Sequence, residues 1–276
     1  MLGPPVLFGP LQIRYLSRSI TLTTDFGRDS PYVAAMKGVI LSINPAAAIA
    51  DVSHGITPQN IAEGAFVLGE ATRWFPRDSI HLAVIDPGVG TDRKIVYARV
   101  GDQQYVCPDN GLLSYVCRDR QPEQAFEVIN QSFFLDEVSQ TFHGRDIMAP
   151  VAAHLSLGLL PEKLGPRLDR LNNFDWPRAR RFDTSLTGRI VFVDSFGNLI
   201  TNVRREDFPY DVNPANFVVE AAPQRFIGIV KTYADSLAGA PVALFGSSGF
   251  LELAIVHGNA ARQLKIPVGR EISIQW

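Results

Sequence analysis

The sequence predicts an α/β protein: an N-terminal α/β sandwich domain with a mostly parallel sheet, followed by a smaller C-terminal all-β barrel domain. In the first part of the chain, apolar β-rich runs alternate with segments of helical periodicity, which is typical of a largely parallel sheet. Beyond residue 186, short β-rich runs recur at regular spacing, and no helical pattern appears before Asn259. That second pattern is typical of a small barrel.

A change in composition marks the boundary between the two predicted domains. Residues 160–183 contain three prolines and a run of arginines, a pattern typical of a linker. A chain of 276 residues is long enough for two domains of ordinary size. We therefore predict an N-terminal domain over residues 19–178 and a C-terminal domain over residues 186–276, with the boundary between Leu171 and Leu186.

Composition and charge argue against several classes of partner. Hydrophobic residues make up 46% of the chain and charged residues 20%, which is ordinary for a globular protein. The net charge of −2 offers no basic surface for nucleic acid, so no nucleic-acid partner is expected. No apolar run approaches the roughly 20 residues that cross a bilayer, so no membrane association is expected.

Cysteine usage and the first residues bear on the compartment. The only cysteines, Cys107 and Cys117, are not in a metal-ligand spacing, so neither a zinc site nor a disulfide framework is expected. This usage fits a reducing cytoplasm. Residues 1–19 lack the apolar centre and the cleavage site of a secretory signal, and we expect them to form a loose N-terminal extension.

The elements of each domain are predicted from hydrophobic periodicity and turn residues. In the first domain we predict strands over residues 19–24, 47–52, 79–85, 94–100, 104–107 and 125–129, and helices over residues 31–43, 57–74 and from about residue 147 to 157. The second helix is expected to begin with Thr57 as the N-cap and Pro58 at the first helical position. In the second domain we predict strands over residues 187–193, 199–203, 217–220, 226–230, 242–245, 251–256 and 271–275.

Two acidic residues stand where predicted strands end. Asp25 follows the first strand, and Asp86 follows a buried apolar strand. Ligands bind at this edge in open α/β sheets. The turn after Asp86 contains a proline and two glycines, which bring backbone close to a ligand, and Arg93 returns a permanent positive charge. A tight turn with a surface ion pair is an equally good interpretation of these residues.

Carboxylates at strand ends can bind a metal ion or a ribose. Asp25 and Asp86 can be interpreted as a Mg²⁺ pair, but no third oxygen ligand appears at a useful spacing. A ribose diol is a better match, because a carboxylate accepts both hydroxyl protons. The turn Gly88-Val89-Gly90 is only a fragment of a dinucleotide fingerprint, and a strand rather than a helix is expected after it.

His143 is the best candidate for a proton acceptor among the five histidines. It lies at a junction of loop and helix, where a side chain can face a cleft, and histidine titrates near neutral pH. A loop histidine that caps a neighbouring carbonyl is the alternative. His54 follows a predicted strand and is a second candidate, whereas His81 and His154 are expected to be structural.

Two glycine-containing turns of the second domain carry polar side chains at strand ends. The candidate residues are Asp194, Asn198, Ser247, Ser248 and Glu252. They can offer hydrogen bonds to a polar ligand near a domain boundary, which is a common place for binding sites. Ordinary β-turns are the alternative interpretation.

Seven short motifs together resemble one family. They are Thr24-Asp25-Phe26-Gly27, Asp51-Val52-Ser53-His54, Asp86-Pro87-Gly88-Val89-Gly90-Thr91, Pro108-Asp109-Asn110-Gly111, Thr141-Phe142-His143-Gly144-Arg145-Asp146, Phe196-Gly197-Asn198 and Ser247-Ser248-Gly249. In this order they resemble the S-adenosyl-L-methionine (SAM) hydrolases, or SAM hydroxide adenosyltransferases, which are relatives of the fluorinase and chlorinase. The resemblance implies hydrolysis of SAM to adenosine and L-methionine by water attacking C5′, with no metal or cofactor.

The resemblance also implies roles for individual residues. The family's Asp-Arg-His triad beside the reacting carbon falls on Asp86, Arg93 and His143. The implied substrate-binding residues are Asp25 at the ribose, Phe142 beside the reacting centre, Asp194 and Ser248 toward the methionine end, Asn198 and Tyr233 near the adenosine, Glu252 as a neighbour, and Ser247. The family architecture is an α/β domain with a β-barrel, in homotrimers with sites between subunits.

One position departs from the family pattern. The family often carries an acidic residue directly before Pro-Tyr, whereas this chain has Ser30 there and Asp29 one step earlier. This difference concerns the loop after Asp25 and leaves the triad intact.

Two other functions remain open at this stage. One is a non-catalytic protein that binds SAM or adenosine. The other is a halide-using SAM adenosyltransferase, whose known members have a serine where this chain has Gly144 and an aromatic residue where it has Asp86. A carboxylate beside the reacting carbon repels an anion and suits water.

Overall fold

The computed structural model describes residues 18–276, which form two compact units. The first unit comprises the described residues up to Gly64 together with Ala71–Leu112 and Arg120–Asn172. The second comprises Ala65–Glu70, Leu113–Asp119 and Asn173–Trp276. Residues 1–17 of the predicted extension lie outside the described residues, and the domain bounds 19–178 and 186–276 stay a prediction.

The first unit is built on a six-stranded mixed sheet. Its strands are β1 (Ile20–Thr24), β2 (Ile49–Ser53), β3 (Ile80–Val84), β4 (Ile95–Val100), β5 (Gln103–Pro108) and β6 (Gln124–Glu127). They lie in the order β2-β1-β3-β5-β4-β6. The pairs β1–β2, β1–β3 and β3–β5 are parallel, whereas β4 is antiparallel to both β5 and β6. This arrangement confirms the predicted α/β fold class.

Two helices, α1 (Pro31–Ile43) and α3 (Ala149–Ser156), pack in one apolar cluster with the central strands of this sheet. A further helix, α2 (Ile61–Thr72), lies between β2 and β3 in the chain. Every residue of β1 and β3 is buried, which is why both strands are rich in apolar and β-branched residues. Met36 and Ile40 of α1 belong to the same apolar cluster as Leu155 of α3. No helix within residues 18–276 is both long and apolar enough to span a bilayer.

Helix α2 begins later than the sequence predicted. The prediction of Thr57 as N-cap and Pro58 at the first helical position is wrong, because Gln59 has a φ of 67°, outside the right-handed helical region. Asn60 is the N-cap, and its side-chain oxygen accepts a hydrogen bond from the amide of Glu63 at 3.1 Å.

The third predicted helix is present in two parts. Residues Gly144–Met148 form a π-helical turn, and α3 follows directly, with Pro150 in its first turn. Single π turns inside helices are frequent at functional sites. This one begins immediately after His143, so the histidine stands at the predicted junction of loop and helix.

The second unit is a nearly closed antiparallel barrel, as predicted. Its strands are β7 (Arg180–Arg181), β8 (Ser185–Val193), β9 (Leu199–Arg204), β10 (Val218–Ala221), β11 (Gln224–Ile227), β12 (Pro241–Phe245), β13 (Phe250–Ile255) and β14 (Glu271–Gln275), with one short helix, α4 (Ala260–Leu264). The order is β11-β10-β14-β8-β9-β13-β12, and β7 pairs with β8. The amide of Val230, just after β11, donates to the carbonyl of Ala243 in β12 at 2.9 Å.

An aromatic cluster explains why two early segments belong to this second unit. Phe66 and Tyr115 come from the segments 65–70 and 113–119, and they pack with Trp176, Ile200 and Phe250. The Tyr115 and Trp176 ring centroids lie 4.7 Å apart in an edge-to-face arrangement. Such pairs add to the stabilisation that burial of the rings provides.

Candidate active site

Two parallel strands place Asp25 and Asp86 at one edge of the first sheet. Asp25 directly follows β1, and Asp86 stands two residues beyond the end of β3, the neighbouring parallel strand. Both line a cleft of about 410 Å³, together with Phe142 and His143. This confirms the expected position of the carboxylates at the carboxyl ends of the strands, where ligands bind in such sheets.

Asp86 and Arg93 form a buried ion pair. The Arg93 Nε lies 2.9 Å from Asp86 Oδ1 and 3.0 Å from Oδ2, and Nη2 also donates to Oδ2. The Asp86 side chain is 5% exposed and the Arg93 side chain 11%. The alternative of a surface ion pair is therefore wrong. Because burial of such a pair costs free energy, its place in a cleft favours a functional role.

The same guanidinium joins this pair to His143. Arg93 Nη2 lies 2.9 Å from His143 Nδ1. Since arginine stays protonated and only donates, Nδ1 must be the acceptor, and a neutral ring then carries its proton on Nε2. Burial and the positive charge of Arg93 lower the pKa of His143, against the opposing effect of Asp86 and Asp146. The three predicted triad residues are thus brought together, with the arginine in the middle.

Asp146 anchors the loop that carries His143. Its side chain is fully buried, and it accepts hydrogen bonds from Arg145 Nε at 2.5 Å and from the amide of Ser139 at 2.9 Å. The Arg145 guanidinium lies 4.9 Å from the centroid of the Phe142 ring. The sequence placed Asp146 in a motif, but only the structure shows that it fixes the loop.

Gly90 allows the turn after Asp86 to pack against the histidine loop. Its φ is 79°, and a Cβ at this position would lie 2.6 Å from the backbone oxygen of Gln140. Only glycine therefore permits this approach without movement of backbone. Gln140 lies three residues before His143. This contact therefore fixes the position of the turn that follows Asp86 relative to the loop that carries His143.

The motif Pro108-Asp109-Asn110-Gly111 supports the backbone before Asp86. Asn110 Nδ2 donates to the carbonyl of Ile85 at 2.9 Å. Asp109 is buried and accepts hydrogen bonds from the amide and the side chain of Asn172, at 2.8 Å and 3.1 Å. Burial raises the pKa of Asp109, and the Asn172 amide opposes that shift. The motif is thus a structural support for the site.

Aromatic rings and a capped helix surround Asp25. The rings of Phe26, Tyr32 and Phe142 are packed edge to face, with centroids 5.1–5.7 Å apart. Asp25 Oδ2 accepts a hydrogen bond from the amide of Gln59 at 2.7 Å, a contact that the sequence did not predict. Ser30, the residue at which this chain differs from the family pattern, is the N-cap of α1. Its Oγ accepts a hydrogen bond from the Tyr32 amide at 3.2 Å.

A hydrogen-bonded polar cluster stands in the second unit. Asp194 Oδ1 accepts from the amide of Asn198 at 2.8 Å, and Asn198 Nδ2 donates to Asp194 Oδ2 at 3.0 Å and to Tyr233 Oη at 3.2 Å. Tyr233 Oη in turn donates to Glu252 Oε2 at 3.0 Å. The structure therefore brings together four of the six residues that the sequence singled out in this part of the chain.

Burial and neighbouring negative charge perturb two members of this cluster. Burial, together with the charge of Asp194, raises the pKa of Glu252. Burial followed by the charge of Glu252 raises the pKa of Tyr233 to about 12. The cluster therefore combines two carboxylic groups with a phenol that keeps its proton, a combination that suits a cationic ligand group.

Ser247 and Ser248 are not joined to that cluster by hydrogen bonds. Ser247 is exposed and Ser248 half-buried in the turn between β12 and β13. Neither hydroxyl makes a hydrogen bond within residues 18–276. Their part in binding stays a prediction.

The metal interpretation of Asp25 and Asp86 has no further support. In the part of the chain that the structure describes, no group of three or more His, Cys, Asp or Glu residues is placed to hold a metal ion. The expectation that the protein uses no cofactor stays a prediction.

Family models match most of the chain. Residues 20–165 match the model of the SAM hydroxide adenosyltransferase N-terminal domain, and residues 188–273 match that of the SAM hydroxide adenosyltransferase C-terminal domain.

Several curated proteins resemble the whole chain. An (R)-S-adenosyl-L-methionine hydrolase of Thermus thermophilus is 36% identical over 93% of this chain and 99% of its own length. A protein of the same name from Methanocaldococcus jannaschii is 35% identical over 92% of this chain and 95% of its own. A fluorinase of an Actinoplanes species is 30% identical over 92% of this chain and 96% of its own.

Solved structures share the fold over the same extent. An uncharacterized conserved protein from Thermotoga maritima is 36% identical, with a TM-score of 0.88 over 93% of this chain and 100% of that chain. A conserved hypothetical protein from Thermus thermophilus is also 36% identical, with a TM-score of 0.76 over 93% of this chain and 99% of that chain.

Proposed function

The chain belongs to the SAM hydroxide adenosyltransferase family, and we propose that it is an enzyme that hydrolyses SAM to adenosine and L-methionine. The observation that carries this proposal is the hydrogen-bonded group of Asp86, Arg93 and His143, of which Asp86 and His143 line the cleft. It offers charge and hydrogen bonds at one point, as activation of a water requires. Curated relatives that are 32–36% identical bear the name of SAM hydrolase.

The chemistry asks more of the nucleophile than of the leaving group. The sulfonium of SAM leaves as a neutral thioether, so little acid catalysis is needed. Water is a weak nucleophile and must be aligned with C5′ opposite the sulfur. Holding it there can supply several kcal/mol through positioning alone, about 7 or more in the best oriented cases.

We assign the proton acceptor to Asp86. The His143 Nδ1 lone pair is occupied by the Arg93 hydrogen bond, so in this arrangement the ring offers only its Nε2–H as a donor. Asp86 Oδ1 accepts one hydrogen bond from Arg93 and retains a further lone pair for a water proton, whereas Oδ2 accepts two hydrogen bonds from Arg93. Arg93 cannot act as a base, and its charge stabilises the developing hydroxide.

The reaction then balances without another group. The water oxygen forms a bond to C5′ while the C5′–S bond breaks, and that electron pair stays on sulfur. One water proton passes to Asp86, and the other stays on the 5′-hydroxyl of adenosine. Methionine leaves with a neutral thioether, and Asp86 returns its proton to solvent. We therefore propose that neither metal nor cofactor takes part.

Substrate contacts are proposed for both units. Asp25 Oδ2 is held by the amide of Gln59, and the carboxylate retains acceptor capacity for the ribose hydroxyls. Phe142 walls the reacting centre. The acidic cluster of Asp194 and Glu252 suits the ammonium group of the methionine end, where Ser248 is also placed. Asn198 and Tyr233 are proposed to lie near the adenosine, and Ser247 is a further substrate contact. Following the family resemblance, we propose that the protein is a homotrimer with active sites between its subunits and that it is located in the cytoplasm.

Halide use is disfavoured at two positions. The Asp86 carboxylate repels an anion at the place where the nucleophile must stand. Gly144 occupies the position of the serine in halide-using relatives, and a Cβ there would lie 3.2 Å from Val84 Cγ1, which leaves little room for that side chain.

Turnover of SAM in ¹⁸O-labelled water tests the function. Hydrolysis predicts equal amounts of methionine and adenosine, with the label in the 5′ oxygen of adenosine. A protein that only binds would retain SAM unchanged, and a halide-using enzyme would form a 5′-halogenated nucleoside when chloride or fluoride is present. Either of these results would refute the proposal.

A further inference from the structure

A second histidine group lies beneath the turn that carries Asp25, and the proposed reaction does not use it. His54 Nδ1 lies 2.9 Å from Thr24 Oγ1, and Thr24 is the residue before Asp25. The backbone oxygen of His54 accepts from the amide of Gly27 at 2.9 Å. His54 therefore contacts the turn on both sides of Asp25, although its side chain is only 11% exposed and lies outside the lining of the cleft.

The hydrogen bonds of this group have one consistent direction. Thr24 Oγ1 accepts from the amide of Phe26 at 3.3 Å, so its single proton is available for His54 Nδ1. The Asp51 carboxylate, 3.1 Å from Nε2, favours a ring proton on that nitrogen, and Nδ1 is then the acceptor of the Thr24 proton. These two hydrogen bonds thus connect His54 with the residue before Asp25 and the residue after it.

A carboxylate that a lysine holds in place faces the other side of the ring. His54 Nε2 lies 3.1 Å from Asp51 Oδ1, at ion-pair distance although the angle is poor for a hydrogen bond. Lys37 Nζ donates to Asp51 Oδ2 at 2.6 Å. Burial raises the pKa of Asp51, but Lys37 and His54 outweigh it and hold that pKa below its usual value. The Asp51 carboxylate therefore stays charged and faces the ring.

We propose that His54 is a positioning residue that acts through Thr24 to hold Asp25 in its ribose-binding orientation. The inference rests on the proposed function, since Asp25 is the proposed ribose contact. Asp51, held by Lys37, faces the ring from one side, and the ring contacts the Asp25 turn through Thr24 on the other. None of these supporting residues, Lys37, Asp51, His54 and Thr24, lines the cleft.

The expected signature is a change in KM rather than in kcat. A ribose contact is made equally in the ground state and the transition state, so its loss raises KM and leaves kcat nearly unchanged. One lost hydrogen bond in the support should raise KM about three- to tenfold. A residue that takes part in the chemistry would lower kcat instead.

Paired variants separate the hydrogen bond from general packing. Thr24→Val removes the hydroxyl at nearly constant shape, whereas Thr24→Ser retains it. His54→Leu removes both ring nitrogens, and His154→Leu makes the same change at a half-buried histidine of α3 that packs against Phe133. Thr24→Val and His54→Leu should raise KM, while Thr24→Ser and His154→Leu should stay within about twofold of the native protein.

Amide hydrogen exchange gives a readout that does not depend on turnover. Thr24→Val and His54→Leu should speed exchange at Phe26 and Gly27, because the Phe26 amide donates to the Thr24 hydroxyl and the Gly27 amide to the backbone oxygen of His54. Unchanged exchange and KM in both variants would overturn the proposal, as would equal effects in the two controls or a fall in kcat at constant KM. If native protein released no adenosine, the proposed function would fail, but the exchange comparison would still decide whether His54 positions the turn.

Discussion

Two groups in the first unit combine an aspartate with a histidine, and they differ in what lies between them. At the cleft, Arg93 separates Asp86 from His143 and donates to both. Beneath the Asp25 turn, Asp51 faces His54 directly, and the other ring nitrogen meets the hydroxyl of Thr24 rather than a charged group.

The difference teaches how similar residues take different roles. An arginine in the middle occupies the histidine's lone pair, and it leaves Asp86 Oδ1 with one lone pair that a water in the cleft can use. A direct pair holds the ring between two fixed partners and turns it into a support. We therefore expect activity to depend on the carboxylate at the first group and on the hydroxyl contact at the second.

Among these variants, Asp86→Asn should cause the largest loss of kcat. It tests the comparison at the carboxylate on which the proposed reaction depends. The amide keeps the shape but cannot take a water proton, so kcat should fall about 10²–10⁴-fold. Substrate affinity, measured by calorimetry, should stay near native. Asp25→Ala is the contrast, because it should mainly raise KM. A near-native kcat for Asp86→Asn would show that the triad is structural.

His143→Ala should lower kcat by about 10²-fold, because the water and Arg93 both lose a fixed partner.

The native enzyme should also lose kcat/KM in acid. Protonation places a second donor on Nδ1, opposite the Arg93 donor, and the lowered pKa puts this loss below the ordinary histidine value of 6.5. A pH profile of native and His143→Asn enzymes checks this. Persistence of the same acid limb in the variant would assign it to another group.

Gly90→Ala should loosen the cleft group without touching the Asp51 group. The new methyl would meet the Gln140 oxygen, and a displacement near 1 Å can cost up to about 10² in rate, so we expect a fall of about tenfold or more. Gly158→Ala is the control, since its φ is 96° but nothing lies within 4 Å of the added atom. Equal kcat values for the two variants would mean that backbone strain, not the contact, matters.

Protonation of His81 should affect the stability of the fold and not the proposed reaction. Burial lowers its pKa to about 4, against the effect of Gln103, from 6.5 in the unfolded chain. The unfolded chain then binds the extra proton first, so stability falls as the pH drops from about 6.5 to 4, by about 3 kcal/mol in total. Urea titrations over this pH range should show that His81→Gln loses less unfolding free energy than the native protein. An equal acid loss in the variant would contradict this.

The sequence predicted the positions of the two candidate carboxylates better than the contacts that support them. Asp25 and Asp86 follow apolar strands, and adjacent parallel strands end at the same edge, so local patterns were enough to place them together. The contacts of Gly90 with Gln140 and of Asn110 with Ile85 join positions far apart in the chain. No periodicity or motif spacing specifies such contacts.

Local signals also misplaced one helix start. Thr57-Pro58 is a good N-terminal signal by itself, but Gln59 takes a left-handed conformation and donates its amide to Asp25. The helix therefore starts after Asn60. A tertiary contact with the site overrode the local preference, which is typical of strained residues at functional positions.

The protonation of the His143 ring tests the central claim most directly. In ¹⁵N NMR of the native protein with labelled histidine, the His143 signals can be assigned by their absence in His143→Asn. At neutral pH we predict an unprotonated Nδ1 and a protonated Nε2, which leaves Asp86 as the acceptor of the water proton. A proton on Nδ1 with a free Nε2 would contradict the account and make His143 the base.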